Sequence, residues 1–331
     1  MDNTINIAAA EFIKDIPVID LAPVISGDPG AQERAGAQLL DACRRLAFFF
    51  VANHGVPPNA MQGILQQSAR FHGLPMEEKL KVKVGADILG YLPPGGQTQA
   101  SSTYNKNTRR ELSASFYMRR AAPEGALDKD RSIYYNNKWP EHLPGFRETL
   151  LDYYSCLDRL ARHLLPLFSI ALGMGPKFFT EHPGFSPFTA TLRLLEYPSQ
   201  DPNEENLFGI GPHSDYGCIT ILHQGPTAGL ELMLPSGEWI PAPSLPGHFL
   251  INTGQMLERW SNDKVPATPH RVINSSGHLR HSAAYLVSTR EEVEITCLPS
   301  CQGPSNPARY PPFSYGEHIA NMRKQNYHLP K

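Results

Sequence analysis

The chain has 331 residues, of which 41% are hydrophobic and 19% charged, and its formal net charge is −2. Its charges form no long block of one sign, no stretch reaches the roughly 18 apolar residues of a membrane span, and none of its five cysteines forms a C-x-x-C pair. We therefore expect a cytoplasmic protein of one or two domains that binds neither nucleic acid nor membrane, with an oligomeric state that the sequence leaves undetermined.

The first part of the chain alternates short strands with amphipathic helices. Residues 16–25 are predicted as a strand, followed by a helix for which Asp28 is the N-cap. Residues 48–58 are predicted as a buried strand that ends in a turn of Gly and Pro, and residues 59–81 as a second helix. This pattern indicates an N-terminal region rich in α-helix.

A long loop and a long helix are predicted next. Residues 90–120 are rich in Gly, Pro, Ser and Asn and are predicted to form an ordered loop, of a length that is often functional. Apolar residues recur every three or four positions within 145–174, which predicts the longest helix. We expect an N-terminal region of helices and loop over residues 1–130 and a helix-supported β core over residues 131–331, together forming one compact unit.

Eight short strand-like runs separated by turns begin at residue 189. They cover residues 189–198, 216–224, 229–235, 237–243, 248–254, 270–274, 281–288 and 291–299. Runs of this kind are typical of an antiparallel sandwich or barrel. The residues therefore predict a fold that is mainly β with packed helices.

An H-x-D motif, His213 and Asp215, stands at the start of one of these runs, in GIGPHSDYGCITIL. On a strand, residues two apart face the same side, so the imidazole and the carboxylate would project together as two ligands of one metal. With thirteen histidines in the chain, an isolated pair of this kind also arises by chance. His270, in ATPHRVINS, supplies a third ligand from another predicted strand. Two histidines and one carboxylate form the facial triad of non-haem Fe(II) oxygenases, whereas a structural zinc site would be closed by a fourth protein ligand.

An R-x-S motif places Arg280 and Ser282 two residues apart on a further predicted strand. A guanidinium and a hydroxyl on one face form a clamp for a carboxylate, because the planar Arg fork makes paired, charge-assisted hydrogen bonds. Taken alone, Arg280 could equally form a surface salt bridge. Together with the three metal ligands, it favours the carboxylate clamp.

These motifs occur in an order that resembles a known family. The segments RLLEYP, GIGPHSDYGCITIL, LINTGQMLERWSND, PHRVIN and RHSAAYLV are similar to those of the isopenicillin N synthase-like branch of the 2-oxoglutarate/Fe(II)-dependent dioxygenases. The segments IPVIDLAPV, FFFVANHGVP and LPMEEK resemble the N-terminal region of the same family, so the resemblance covers nearly the whole chain. Other segments, PHSDYG and YGEHIANM, are more similar to the bacterial and fungal members than to the plant members.

The resemblance implies a fold, cofactors and residue roles. The fold would be a jelly-roll double-stranded β-helix with an α-helical N-terminal region. His213, Asp215 and His270 match the iron ligands of the family. Arg280 and Ser282 match the residues that hold the distal carboxylate of 2-oxoglutarate, and Tyr197, in EYP, matches a tyrosine that adds a hydroxyl to that carboxylate. The implied activity is oxidation, most commonly hydroxylation, of a small molecule by Fe(II), 2-oxoglutarate and O2, with formation of succinate and CO2.

Candidate substrate-contacting residues come from two places. Tyr91 and Phe116, in the predicted long loop, are candidates for lining the pocket, with core packing as the alternative for each. Arg193 lies four residues before Tyr197, on the same strand face, and would attract an acidic substrate unless a neighbouring carboxylate pairs with it. The C-terminal residues 311–328 are expected to fold over the mouth of the pocket.

Two other functional hypotheses remain open at this point. One is an Fe(II) oxidase of the isopenicillin N synthase type that does not use 2-oxoglutarate, in which Arg280 and Ser282 hold a carboxylate of the substrate itself. The other is a binding or regulatory module with an inactive centre. An intact set of three ligands argues against this second alternative, because a non-catalytic protein does not need three ligands around an open metal position.

Overall fold

Two facing β-sheets form the centre of the computed structural model, which describes residues 16–122 and 133–329. Its strands are β1 Val18–Asp20, β2 Phe48–Ala52, β3 Gly90–Leu92, β4 Ala114–Arg119, β5 Thr189–Tyr197, β6 Ile210–His213, β7 Ile219–His223, β8 Leu230–Met233, β9 Trp239–Pro241, β10 Phe249–Thr253, β11 His270–Val272, β12 Arg280–Ser288, β13 Glu294–Ile295 and β14 Phe313–Ser314. Its helices are α1 Ala22–Ser26, α2 Ala31–Arg45, α3 Pro58–His72, α4 Met76–Lys81, α5 Phe146–Ala171, α6 Phe178–Glu181, α7 Gln255–Trp260 and α8 Tyr315–Asn326.

The larger sheet has eight strands in the order β1-β2-β10-β7-β12-β5-β4-β3, and the smaller has four in the order β6-β11-β8-β9. The β1–β2 pairing is parallel, and the other pairings within these two sheets are antiparallel. Apolar side chains from both sheets, such as Leu250 and Ala284 of the larger and Leu232 and Val272 of the smaller, form one buried cluster between them. The expected fold, mainly β with a double-stranded β-helix core and an α-helical N-terminal region, is confirmed.

The long helices cover the outer face of the larger sheet. The predicted helix within 145–174 is confirmed as α5, which packs against α2 and α3. Its apolar positions Leu157, Leu160 and Leu164 are buried in the main core with side chains from the outer face of the sheet. Both faces of the sheet are therefore buried, and each strand sends alternate residues to the helices and to the space between the sheets.

Strand β12 shows this alternation most clearly. Ala283, Tyr285 and Val287 pack in the core beneath the helices. Arg280, Ser282 and Ala284 alternate with these residues along the strand and therefore point between the sheets, where Arg280 and Ser282 are almost fully buried. The alternation thus aims two polar side chains of one strand into the interior of the β-helix.

Several N-terminal boundaries differ from the predictions. The strand predicted over 16–25 ends at Asp20, whose side chain accepts a hydrogen bond from the backbone N–H of Ala22 and starts α1. The next helix begins after Gly30, with φ +70°, rather than after Asp28. The helix predicted over 59–81 is two helices, because Pro75 interrupts the backbone hydrogen bonding.

The segment 90–120 is not only a loop. It contains β3 and β4, which extend the larger sheet beyond β5. The Gly, Pro and Ser residues that predicted a loop lie mainly between these two short strands. The domain boundary expected after residue 130 lies outside the described residues. Within the described ranges, no helix combines the length and the apolar character needed to cross a bilayer.

Candidate active site

His213, Asp215 and His270 come together at one end of the space between the sheets. His213 is the last residue of β6 and His270 the first of β11, and these two strands pair His213 directly with His270. Asp215 lies beyond the end of β6, in the connection to β7, rather than on the strand that the H-x-D spacing predicted. The Oδ1 atom of Asp215 is 3.8 Å from the Nε2 atom of each histidine. The three ligand atoms lie within 4.8 Å of one another, a spacing that suits coordination of one ion.

Hydrogen bonds to the backbone orient both imidazoles. The Nδ1 atom of His213 lies 2.9 Å from the carbonyl oxygen of Gly211, and that of His270 lies 3.2 Å from the carbonyl oxygen of Thr268. A carbonyl only accepts, so each Nδ1 donates its proton and each Nε2 keeps a free lone pair. Burial, followed by the proximity of His270, lowers the pKa of His213 well below its usual value, which keeps this ring neutral. Neutral imidazole held through its other nitrogen is the usual form of a histidine metal ligand.

The carboxylate of Asp215 is held in the same manner. Its Oδ2 atom accepts hydrogen bonds from Thr220 Oγ1 at 2.5 Å and Asn252 Nδ2 at 2.7 Å. Burial alone would raise the pKa of Asp215, but the two histidines and these two hydrogen bonds lower it overall. Oδ2 is occupied and Oδ1 faces the imidazoles, so the side chain is ready to give one oxygen to a metal. The donor set of two imidazoles and one carboxylate suits Fe(II) and leaves positions open for other ligands.

Arg280 and Ser282 lie on the wall of the same cavity as the three ligands, with Tyr197 beside them. Each of the two is 1% exposed, and among the described residues neither Nη1 of Arg280 nor Oγ of Ser282 has a hydrogen-bond partner. The Nε atom of Arg280 donates to the carbonyl oxygen of Thr227 at 3.1 Å, and its guanidinium stacks over the ring of Tyr197 at 4.7 Å. Burial lowers the pKa of Arg280, as expected for a cation without a facing carboxylate. A buried cation and a buried hydroxyl without partners form a site that a carboxylate would complete.

A second cavity adjoins the first at the metal ligands. Arg193, His213, Asp215 and Leu286 line both cavities. Much of the rest of the second wall comes from β4, β5 and the C-terminal segment that contains α8. It includes Tyr117, Arg119, Thr191, Tyr315, Arg323 and Tyr327. Arg280 and Ser282 line the first cavity and not the second.

Two of the sequence-predicted residues lie elsewhere. Tyr91 and Phe116 are buried in the main core, where both contact Phe71 of α3 on the outer face of the larger sheet. Neither lines the two cavities at the metal ligands. On β4 the residue with the opposite parity, Tyr117, faces the cavity instead. Tyr91 and Phe116 therefore take the alternative role of core packing.

Arg193 is brought to the site as the sequence suggested. Its Nε atom donates to Ser115 Oγ and its Nη2 atom to Gln97 Oε1, both at 3.0 Å, and its guanidinium lies 5.0 Å from the centre of the Tyr117 ring. Within the described ranges Arg193 forms no ion pair. The buried carboxyl of Glu111 is close enough to interact with this charge, so Arg193 lies at the junction of the two cavities with one acidic group nearby.

The residues that support the three candidate ligands were not predicted from the sequence. Thr220 and Asn252 fix Asp215, and each is a polar residue inside an apolar strand, in ITIL and LINT. A polar residue that interrupts such a run was the available signal. Phe48 was missed as well; its ring meets His270 edge to face at 5.7 Å.

Comparisons with known proteins agree with this geometry. Residues 16–142 match the family described as the N-terminal region of the non-haem dioxygenase in morphine synthesis, and residues 188–289 match the 2OG-Fe(II) oxygenase superfamily. The 2-oxoglutarate-Fe(II) type oxidoreductase hxnY of Emericella nidulans is 30% identical over 324 residues, covering 94% of this chain and 90% of that protein. Homoarginine-6-hydroxylase 2-ODD-233 of Oryza sativa subsp. japonica is 32% identical over 328 residues, covering 95% of this chain and 98% of that protein. The crystal structure of JOX2 in complex with 2OG, Fe and JA has a TM-score of 0.78 and 28% identity, covering 95% of this chain and 86% of that one.

The chain belongs to the 2OG-Fe(II) oxygenase superfamily, in its isopenicillin N synthase-like branch. It is an oxidoreductase that uses Fe(II), 2-oxoglutarate and O2 to oxidise a small-molecule substrate, with formation of succinate and CO2. Use of 2-oxoglutarate is supported over the alternative of an oxidase that works without it. The hypothesis of an inactive binding module is set aside for the same reason.

Proposed function

We propose that His213, Asp215 and His270 hold the Fe(II) ion, and that Arg280, Ser282 and Tyr197 bind the distal carboxylate of 2-oxoglutarate. The observation that carries this assignment is the pair of unpartnered polar groups, Arg280 Nη1 and Ser282 Oγ, buried in the cavity of the three ligands. A dicarboxylate with one end at the metal and the other at these groups would supply both missing partners. The metal and 2-oxoglutarate bring the oxidising power, so the protein contributes positions, charges and exclusion of water.

The residues divide this work between the two ends of the cavity. Arg280 and Ser282 fix one end of the cosubstrate, which limits the orientations its other end can take. Gly211 and Thr268 fix the two imidazoles, and Asn252 fixes the carboxylate, so that the ligands need little rearrangement when the ion binds. The apolar cluster between the sheets closes the space behind them and keeps water out.

The substrate we propose is a carboxylate-bearing small molecule in the second cavity. Three arginines line that cavity: Arg119, Arg193 and Arg323. Among its described lining residues the acids are Asp215, at the metal position, and Glu291, which is 3.5 Å from Arg323. Arg119 donates to Thr191 Oγ1 at 3.2 Å and stacks on Tyr135, without an ion pair in the described part of the chain. The wall therefore carries excess positive charge beside aromatic rings, which suits an anion with a planar or apolar body.

Anaerobic titration tests the cosubstrate assignment. Fe(II)-loaded protein is titrated with 2-oxoglutarate while the weak visible absorption of the bound chelate is followed, with Arg280→Ala for comparison. We expect a saturable band whose midpoint moves to much higher concentration in Arg280→Ala. An unchanged midpoint would show that Arg280 does not bind 2-oxoglutarate.

Succinate release tests the substrate class. Amino acids, including homoarginine, and aromatic and aliphatic acids are screened beside their amides, and active acids are repeated with Arg193→Gln. Arg162→Gln, on α5, serves as the matched control. We expect acids to outperform their amides, and Arg193→Gln to raise KM for the acid at least tenfold while leaving KM for the amide nearly unchanged. Equal rates for acids and amides would contradict the proposed class but would leave the iron and 2-oxoglutarate assignments intact.

We place this activity in the cytoplasm, as the sequence analysis expected. All five cysteines are free thiols, and Cys43, Cys218 and Cys301 are buried. Free thiols are typical of proteins in reducing compartments. Fractionation of the source cells with an antibody against the chain would test this location.

A further inference from the structure

A second cluster of potential metal ligands lies on the outer face of the larger sheet. It consists of His72, the last residue of α3, with Glu196 on β5 and His281 on β12. One nitrogen of each imidazole and one carboxylate oxygen of Glu196 lie within 4.8 Å of one another. The ligand atoms of His213, Asp215 and His270 lie within the same distance of one another.

The register of the sheet separates this cluster from the active site. Strands β5 and β12 pair Glu196 directly with His281, so these two side chains share one face. Their neighbours Tyr197, Arg280 and Ser282 have the opposite parity and face the space between the sheets. The cluster therefore lies behind the 2-oxoglutarate clamp, on the side of the sheet that α3 covers.

A single serine orients both imidazoles. The Nδ1 atom of His72 is 2.9 Å from the carbonyl oxygen of Ser68, and the hydroxyl of Ser68 is 3.4 Å from Nδ1 of both His72 and His281. The bond to the carbonyl requires a proton on Nδ1 of His72, which leaves a lone pair on Nε2. His72 is 3% exposed, and within the described ranges its Nε2 has no hydrogen-bond partner. A buried imidazole anchored through one nitrogen and open at the other has the arrangement of a metal ligand.

The carboxylate of Glu196 also lacks a close partner. Its Oε2 atom is 3.7 Å from Nε2 of His281, which is too long for a hydrogen bond, and no other ion pair of Glu196 is found in the described part of the chain. Two cations act on the cluster: Lys79, whose Nζ atom donates to the carbonyl oxygen of His72 at 2.6 Å, and Arg280, which acts on His281 from the neighbouring position on β12. Burial lowers the pKa of His72 to about 3, so its ring is neutral near pH 7, as metal binding requires.

We propose that His72, Glu196 and His281 form a second metal site, which binds a divalent transition metal of the zinc class. Two imidazoles and one carboxylate are a common protein donor set for Zn²⁺, with water in the fourth position. The partial exposure of Glu196 and His281, with side chains 19% and 16% accessible, leaves a route for the ion and this water. The bound ion would join the end of α3 to β5 and β12 and brace the strands that carry the clamp residues.

Metal content in a protein without active-site ligands tests the proposal. The full-length His213→Ala/His270→Ala protein is loaded with Zn²⁺, dialysed and assayed by atomic emission, with Co²⁺ absorption as a second readout. We expect close to one zinc per chain and a visible Co²⁺ spectrum, with a rise in Tm on metal addition. Absence of retained zinc and of the Co²⁺ spectrum in this folded protein would overturn the proposal, whatever the outcome of the activity assays.

Single substitutions in that protein assign the ligands. Glu196→Gln keeps the size of the side chain and should weaken zinc binding at least about tenfold, and His281→Gln should do the same. Lys79→Met removes a nearby positive charge and should strengthen binding. His163→Gln, on α5 outside both clusters, is the matched control and should retain the zinc. Zinc retention in both Glu196→Gln and His281→Gln would refute the assignment even if a His72 variant fails to fold.

Discussion

Replacing Ser282 by alanine should have opposite effects on stability and on cosubstrate affinity. The hydroxyl of Ser282 is buried and has no hydrogen-bond partner among the described residues. In the metal-free and ligand-free protein, an unsatisfied buried hydroxyl costs about 1–3 kcal/mol. Because Ser282→Ala removes this group and leaves only a small gap, the free protein should be as stable as wild type or more stable.

The same hydroxyl should matter when 2-oxoglutarate is bound. A hydrogen bond to a charged group contributes about 1.5–3 kcal/mol, which corresponds to about 10- to 150-fold in Kd. Ser282→Ala should therefore raise the Kd for 2-oxoglutarate by a factor in this range. Arg280 keeps its own contacts with Thr227 and Tyr197 in the variant, so the loss should stop short of the loss in Arg280→Ala.

Two measurements on the same preparations test the predicted effects of Ser282→Ala on stability and on 2-oxoglutarate affinity. Urea unfolding of the free proteins gives the free energies of unfolding, and anaerobic titration of the Fe(II)-loaded proteins with 2-oxoglutarate gives the Kd values. Ser288→Ala, at the other end of β12, is the matched control for a serine lost from this strand. A Ser282→Ala protein that is destabilised by more than about 1 kcal/mol but binds 2-oxoglutarate normally would contradict this prediction, because the hydroxyl would then have a structural partner instead of a ligand.

Three further outcomes are expected. Asn252→Ala should lower Fe(II) affinity by about 10- to 100-fold, measured by competition with a chelator, because the Oδ2 atom of Asp215 loses one of its two hydrogen bonds. Tyr197→Phe should raise the Kd for 2-oxoglutarate about fivefold, the loss expected for one hydrogen bond of about 1 kcal/mol, without changing Fe(II) affinity. The pKa of His72 is lowered from 6.5 to about 3 in the folded protein. Below pH 6.5 the unfolded chain therefore binds a proton that the folded chain does not, and the free energy of unfolding falls with the pH. Between pH 7.5 and 5 this decrease is about 2 kcal/mol. In the presence of a chelator, the free energy of unfolding of His72→Gln, measured with urea, should decrease by correspondingly less than that of the wild type between pH 7.5 and 5.

The sequence predicted the parts of the site that depend on spacing within one strand. Arg280 and Ser282 lie two residues apart on β12, and their common face follows directly from the strand period. Asp215 shows the limit of that argument, because β6 ends at His213 and the carboxylate reaches the histidines from the following loop. The H-x-D spacing picked out two residues that the fold brings together with His270, while the strand geometry invoked for Asp215 was incorrect.

The residues that support the site could not be found in the same way. Asn252 meets Asp215 only because β10 and β7 are neighbours in the larger sheet, and strand order is not encoded in the local pattern of either strand. The prediction of a loop over 90–120 had a similar cause. The short strand β4 is buried on both faces, so it lacks the alternation of polar and apolar residues that identifies an exposed strand. Because no strand was predicted there, the alternation of side chains could not be used to decide whether Phe116 or Tyr117 faces the cavity.

The pairing of β5 with β12 explains how one short stretch of sequence can serve two sites. Tyr197 pairs with Arg280 and Leu195 with Ser282, all facing the cavity between the sheets, whereas Glu196 pairs with His281 on the other face. A slip of β5 by one residue against β12 would turn Glu196 into the space between the sheets and Leu195 and Tyr197 out of it, while His281 would stay on the outer face. The nine paired positions and the apolar residues of β5 oppose that slip, because it would also move Leu192 and Leu194 out of the main core. The position of Arg280 therefore depends on hydrophobic packing several residues away, and any ion held by Glu196 and His281 would reinforce the same register.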